Sequence, residues 1–470
     1  MMHPPIHDYQ KDYPDQVSFS EAFRVWVKIG FLSFGGPAGQ IALMHRMLVE
    51  ERKWIGNDRF LHALNYCHLL PGPEAQQLAI YIGWLLHGTK GGLAAGILFV
   101  IPGMLTILVL TLLYAGFQKV AAVQALFYGL KPAVLAVVIM AVFRIATKAL
   151  KTPYLTLLAG LAFLAMFFYQ APFPVVIVCS GLLGYLGLSF CPHHLGNRCP
   201  QWICGDTTVK QIKDEGGIID ILLTKDGTGR LTPTLARSIK VLAIWAAVWL
   251  GPVLVLVLSL GPRHVFTQIS LFFSKMATVT FGGAYAVLAY MAQEAVTGYG
   301  WLHPGEMLDG LALAETTPGP LIQVVQFVGF LAAFRDPGLL NPYVAGTLGA
   351  LLTVWVTFAP CFLWIFLGAP YVEQLRHNRL LNGALSGITA AVVGVVLNLS
   401  IWFGINALVH QTNPVRLLGA TLPVPDFSSA DWFGLLLAAL SFLAMKYGKL
   451  GMITVLAACS GLGFLWKLFV

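Results

Sequence analysis

Charge is what this chain has least of. Only 11% of its 470 residues are Asp, Glu, Lys or Arg, under half of the roughly 25% usual in soluble domains. That excludes an ordinary water-soluble globular fold, and no soluble domain is visible beyond a polar stretch over 192–236. Cysteine is sparse as well. Of the seven, Cys67, Cys179, Cys361 and Cys459 lie in apolar segments and Cys191, Cys199 and Cys204 in the polar stretch, a distribution without a disulfide framework. Cys191-Pro192-His193-His194 has the composition of zinc ligands, but its spacing is irregular and nothing matches it elsewhere, so no metal is assigned. There is no phosphate-binding glycine loop, nucleophile elbow or metalloprotease helix. The sequence therefore implies no cofactor and no enzyme. The first eighteen residues are polar and carry Asp8, Asp12 and Asp15, which argues against a cleaved signal peptide.

What the chain has instead is apolar length. Hydrophobic residues make up 57% of it, the mean hydropathy is +0.75, and runs such as 91–117, 153–169, 241–260, 344–368 and 451–466 suit bilayer-crossing helices. The expected class is an all-α polytopic membrane protein. In so apolar a chain the net charge of +8 reads as loop charge that fixes orientation, not as a surface for nucleic acid.

The chain also repeats itself. Phe34-Gly35-Gly36 returns 247 residues later as Phe281-Gly282-Gly283, and Pro71-Gly72-Pro73 returns as Pro318-Gly319-Pro320. Lys28, Trp54 and Gln76 return as Lys275, Trp301 and Gln323 at the same offset, and Pro102 and Gly129 return at 258 as Pro360 and Gly387. The expected segments are 21–47 and 58–87, both broken, then 91–117, 121–148, 153–170 and 172–191. An unpaired helix at 238–260 follows. The second copy gives 264–295 and 306–334, both broken, then 343–368, 380–408, 431–447 and 450–468.

Loop charge distinguishes full crossings from re-entrant hairpins. With all four broken segments as hairpins, the N-terminal side holds 21 lysines and arginines and the far side five, with Lys28, Lys131 and Lys275 left inside the membrane. Full crossings would blur that asymmetry, so hairpins and a cytoplasmic N-terminus are expected. Either way the first half crosses an even number of times and helix 238–260 adds one, so the second half starts on the opposite face. The expected architecture is two inverted-topology repeats whose broken helices meet near the bilayer midplane. Its divisions are a cytoplasmic segment 1–20, a first repeat 21–191, a cytoplasmic loop 192–237, a linking helix 238–260 and a second repeat 261–470.

Glycine and proline cannot sustain a continuous helix, so Gly35-Gly36-Pro37 and Pro71-Gly72-Pro73, with Gly282-Gly283 and Pro318-Gly319-Pro320, should each end one half-helix and start another. Such breaks in a bilayer must face protein or a water-filled cavity. A half-helix starting there presents free N–H groups and the positive end of its dipole, which suits an anion. Lys28 and Lys275 each precede a Gly-Gly step by seven residues. They either snorkel or give a central site its positive charge. Lys131, before Pro132, is a third and asymmetric candidate. Gln76 and Gln323 are neutral donors suited to oxyanion oxygens. Glu74 and Glu315 lie beside the two Pro-Gly-Pro runs, and with His68 they are either capping groups or a protonatable gate.

With these residues assembled, the chain resembles the chromate ion transporter family, in its long, two-repeat bacterial members. The likeness is carried by KIGFLSFGGP from Lys28 to Pro37, LPGPEAQQLAIYI from Leu70 to Ile82 and GLKPA from Gly129 to Ala133. In the second copy it is carried by FGGAYA from Phe281 to Ala286 and TPGPL from Thr317 to Leu321. The resemblance implies a multi-pass protein of the bacterial inner membrane that exports chromate and confers resistance, with sulfate as a structural analogue. A sulfate carrier or an anion channel on the same site is the nearest alternative, and an intramembrane enzyme a distant one. The partners implied are the anion and the lipid bilayer, with no nucleic acid. A homodimer is left open. A cysteine introduced at any of residues 50–53 should react with an impermeant thiol reagent from the cytoplasmic side; reaction only from outside would refute the hairpin topology.

Overall fold

A computed structural model of the chain describes residues 17–190, 217–219, 234–281, 284–371, 379–409, 412–417 and 420–469. The expected cytoplasmic loop, its cysteine–histidine cluster, and Gly282 and Gly283 lie almost wholly outside these. Six of the described helical stretches are long and apolar enough to cross a membrane, among them Glu74–Phe117, Ala121–Ala149 and Gly383–Leu408. The fold is an all-α polytopic membrane protein.

The first half runs α1 (Phe19–Leu32), α2 (Gly36–His45), α3 (Asn57–Leu69), α4 (Glu74–Phe117), α5 (Ala121–Ala149), α6 (Pro153–Tyr169) and α7 (Phe173–Phe190). Next come α8 (Leu235–Leu260), α9 (Val265–Val279), α10 (Ala284–Gln293), α11 (Pro304–Thr316) and α12 (Val324–Arg335). The chain ends with α13 (Pro342–Gly368), α14 (Arg379–Leu408), α15 (Trp432–Lys446) and α16 (Met452–Phe469). The breaks fall where glycine and proline put them, between α1 and α2, α3 and α4, α9 and α10, and α11 and α12.

The segments expected at 58–87 and 91–117 are separate: α4 is interrupted at His87 and Gly88, whose backbone angles are non-helical, and its two arms fold back on each other, a Cβ on Gly83 falling 2.5 Å from the carbonyl oxygen of Gly91. Two features were not foreseen. Both α2 and α10 end in a π-helical turn, Arg46–Glu51 and Glu294–Gly298. A two-stranded antiparallel hairpin, Thr412–Leu417 against Ala420–Pro425, precedes α15.

Contacts at the helix ends show that the broken segments turn back. Arg52, beyond α2, reaches Glu21 at the start of α1 at 2.8 Å. His45 bonds Asn57 at the start of α3 at 2.9 Å. His87, at the α4 kink, bonds the carbonyl of Val17 at 2.8 Å. All three join points at one end of the molecule, where Arg237 of α8 also stacks over Trp84. Each arm of about 14 residues rises roughly 21 Å, half the ~43 Å of the α4 arm beyond the kink. At the other end of that arm the second-half hairpins open: Arg335 bonds the carbonyl of Trp301 at 2.6 Å, and Phe334 packs on Tyr343 at the start of α13. Helix α8 runs between the two ends, its Leu256 carbonyl accepting from Thr267 of α9.

Around this centre the halves interlock. Helix α5 packs on α15 and α16, while its counterpart α14 packs on α6 and α7. A Cβ on Gly129 would sit 2.0 Å from the carbonyl oxygen of Cys459, and one on Gly387 2.3 Å from that of Ser180. Small residues at matched crossings let the backbones touch, the usual device where lipid offers no hydrophobic drive between helices. Gly387→Leu should destabilise the protein by about 1–3 kcal/mol through overpacking, measured as a lower melting temperature in detergent; an unchanged melting temperature would show that the α7–α14 crossing carries little of the fold.

Candidate functional site

The four breaks meet. The N–H of Gly72 donates to the carbonyl of Thr280 at 2.9 Å, and the N–H of Gly319 donates to the carbonyl of Ser33 at 2.8 Å. These are one contact made twice, since Gly319 and Thr280 are the 247-offset counterparts of Gly72 and Ser33. The local sequence explains the geometry. Ser33 and Thr280 turn their hydroxyls back onto the carbonyls four residues earlier, Ile29 and Met276. That leaves their own carbonyls to accept from across the junction. Gly72 and Gly319 have φ of +120° and +96°, which side-chain-bearing residues rarely adopt.

The long helices press against this junction at matched points. A Cβ on Gly103 of α4 would fall 2.4 Å from the side-chain oxygen of Gln323 and from the carbonyl of Pro318. At the equivalent place α13 brings Cys361, whose Sγ would lie 3.1 Å from a Cβ on Gly72. Half-helices α2 and α4 start at the breaks, at Gly36 and Glu74, and α12 starts just past a short 3-10 turn at Leu321. Their N-termini therefore face the junction.

Five buried glutamines surround it. Gln40 donates to the Gly319 carbonyl at 2.5 Å, Gln77 to Pro71 at 2.7 Å, Gln323 to Val100 at 3.1 Å and Gln326 to Met104 at 2.9 Å. Their side-chain oxygens have no partner among the described residues. Gln76 goes further: it is fully buried and neither its oxygen nor its nitrogen has a partner. A buried amide left unpaired costs about 1–3 kcal/mol, so this side chain is placed at the expense of stability. Gln76 and Gln323 were expected; Gln40, Gln77 and Gln326 were not. Only Gln76 and Gln323 form a repeated pair, and a glutamine without a counterpart looks like any other polar residue in a helix.

The other expected residues divide. Gly35 caps α2 in the left-handed region with Pro37 next to Gly36 in its first turn, and Pro71 and Pro73 bracket Gly72, as Pro318 and Pro320 bracket Gly319. Glu74 is buried and faces the half-exposed His68 at 3.7 Å. Glu315, also buried, accepts from the Tyr285 hydroxyl at 3.0 Å. Each run thus has one buried carboxylate, held in a different way. Lys28 and Lys275 are exposed on α1 and α9, and on α1 the buried face is the opposite one, Ala22, Val25, Trp26 and Ile29. Neither lysine makes an ion pair among the described residues. Lys131 lies away from the breaks, 3.5 Å from Asp309, a residue the sequence reading passed over.

Residues 20–185 and 267–464 match the profile of the family described as Chromate transporter. The chain belongs to the chromate transporter family. Within it, the chromate transport protein of Pseudomonas aeruginosa is 29% identical over 456 residues, covering 96% of this chain and 93% of that protein. The chromate transport protein of Cupriavidus metallidurans is 28% identical over 371 residues, 79% of each chain. No solved structure matches. The two matched stretches of the family profile each contain one pair of breaks, so the junction lies between them.

The unpaired state of Gln76 makes a stability test available. Gln76→Met removes an unsatisfied buried amide and should leave the melting temperature unchanged or raise it, whereas Gln323→Met removes a made bond and should lower it. Equal losses in both variants would mean that Gln76 is partnered after all.

Proposed function

We propose that this chain is a secondary transporter that exports chromate from the cytoplasm by alternating access around the crossed breaks, and so confers chromate resistance. The observation that carries the reading is the junction itself: two exchanged glycine hydrogen bonds ringed by glutamines, one of them without a partner among the described residues. Chromate is a tetrahedral oxyanion whose oxygens need converging N–H donors, and half-helix N-termini with amide side chains supply them. The names of the relatives support the same cargo, with sulfate as its analogue.

In this reading residues 21–191 and 261–470 are two inverted repeats, joined by the 238–260 helix, in a bacterial inner membrane with the N-terminus inside. The support is that hairpins in the two halves open at opposite ends of the long helices and that matched contacts exchange between the halves. Lys28 and Lys275 then lie on the flanks of the path and raise the local anion concentration. Moving a dianion outward, down an inside-negative potential, releases about 2.3 kcal/mol per charge per 100 mV, so export needs no nucleotide.

Everted vesicles test this directly. Vesicles containing the protein should accumulate chromate, sulfate should compete, and Lys28→Ala, Lys275→Ala or Gln76→Met should each reduce uptake by at least about tenfold, roughly 1.4 kcal/mol, with the protein still inserted. Normal uptake in both lysine variants would remove the lysines from the path. No uptake by the parent protein would remove chromate as the cargo.

A further inference from the structure

One ion pair joins the two halves and has no counterpart in the repeat. Lys131 Nζ of α5 lies 3.5 Å from Asp309 Oδ1 of α11, and the Tyr114 hydroxyl of α4 donates to Asp309 Oδ2 at 3.0 Å. The counterparts of Lys131 and Asp309 are Thr389 and His62, which cannot form such a pair. Asp309 is 5% exposed, and its Oδ1 has no hydrogen bond. Its charge is therefore balanced by a lysine just beyond bonding distance, whose own side chain is 29% exposed.

The setting of this pair is as unequal as its chemistry. Helix α11 is docked against α5, α14 and α16, with Leu308, Asp309, Ala312 and Glu315 all buried. Its counterpart α3 packs chiefly on α4, and the matching Leu61, Asn65 and His68 are exposed. One hairpin pair is thus closed onto the bundle while the other stands open, and the ion pair sits in the closed contact. Other charged groups lie on the same elements: Glu315 of α11 accepts from Tyr285, and α5 also carries Arg144 and Lys148. Glu306 on α11 is held by Arg335 of α12, Lys467 of α16 stands over the Tyr128 ring, and α14 has no charged residue between 383 and 408.

We propose that Asp309, Lys131 and Tyr114 form a proton-binding latch that couples closure of this end of the molecule to uptake of a proton. A proton from water adds to the Asp309 carboxylate while Lys131 keeps its own. The pair then changes from net neutral to one uncompensated positive charge. Asp309 is the buried partner and Lys131 the one that reaches water, so the neutral carboxylate is the less costly state of the closed contact, and protonation holds α11 on α5. The latch rests on the proposed function only for the cargo: in an exporter it would bring a proton in for each chromate cycle.

The first test needs no cargo. Ala312 is one turn from Asp309 on the same stripe of α11 and is 1% exposed. In purified, detergent-solubilised full-length protein carrying Ala312→Cys, maleimide labelling is compared with and without Asp309→Asn from about pH 5 to about pH 9, a range that spans carboxylate titration in a perturbed site. Taking the ratio at each pH cancels ionisation of the thiol. The Asn variant should label about fivefold or more slower at the alkaline end, the low end of ordinary coupling, and the ratio should rise towards one on acidification. Lys131→Met, which leaves the buried carboxylate without its counter-ion, should speed labelling at the alkaline end, and Asp309→Glu should keep the parent's pH dependence. A ratio of one throughout, or one that does not close on acidification, overturns the latch; if the Asn variant fails to fold, Lys131→Met must carry the alkaline increase, and no increase there overturns it too. In proteoliposomes with a pH-sensitive dye, chromate movement by the parent protein should drive proton movement that Asp309→Asn abolishes. Chromate movement without protons overturns the latch alone, whereas absence of chromate movement with pH-dependent labelling intact overturns the cargo alone.

Discussion

A helix cannot stop inside a bilayer unless its freed backbone groups find partners, and this protein stops four helices there. The solution is reciprocal. The N–H freed at Gly72 is satisfied by the carbonyl freed at Thr280, and the N–H freed at Gly319 by the carbonyl freed at Ser33. Each half supplies what the other lacks, so neither half's breaks are satisfied alone. The rest of the centre follows from the close approach this requires. Gly103 must be a glycine because the α11–α12 break lies against it, and α13 must present a small side chain, Cys361, at the matching place. The packing further out repeats the exchange, with α5 on α15 and α16 and α14 on α6 and α7.

How much of this the sequence disclosed depends on whether a feature is written locally. The breaks are, because glycine and proline act on their own backbone, and all four fell where Gly-Gly or Pro-Gly-Pro predicted. The turn-back of the hairpins was legible through loop charge, and the Arg52–Glu21 contact agrees with it. The π-helical turns were not legible, since a single extra residue in a turn leaves the apolar pattern almost intact. The division of α4 was legible, since the charged and glycine-containing stretch from His87 to Gly92 interrupts the helix at His87 and Gly88. The β-hairpin at 412–425 was not legible, since prolines at 414, 423 and 425 give no strand signal.

The site was half legible for a similar reason. Duplication pointed to Gln76 and Gln323 because they repeat. Asp309 was missed because it does not, and no periodicity tells which of the few intramembrane acids will meet Lys131. Repetition finds what the halves share; it is blind to what makes them differ. Yet the differences are where one conformation is chosen over its mirror. Two identical halves would close both ends with equal ease, and a charged pair on one side alone breaks that tie.

The placing of charge also bears on how tightly an anion is held. Two opposite charges 4 Å apart attract by about 4 kcal/mol at an effective dielectric of 20, and by far more in a dry interior. A dianion gripped by two buried lysines would be slow to leave, and a carrier must release what it binds. Here the symmetric lysines stand on exposed faces of α1 and α9, and the third is neutralised by Asp309. What the junction offers instead is partial charge: helix N-termini and amide groups, each worth a fraction of an ion pair. On the proposed function those donors orient oxygens without trapping the anion. Among the described residues no buried, unpaired lysines converge on the junction, and that is the arrangement that turnover of a carrier favours.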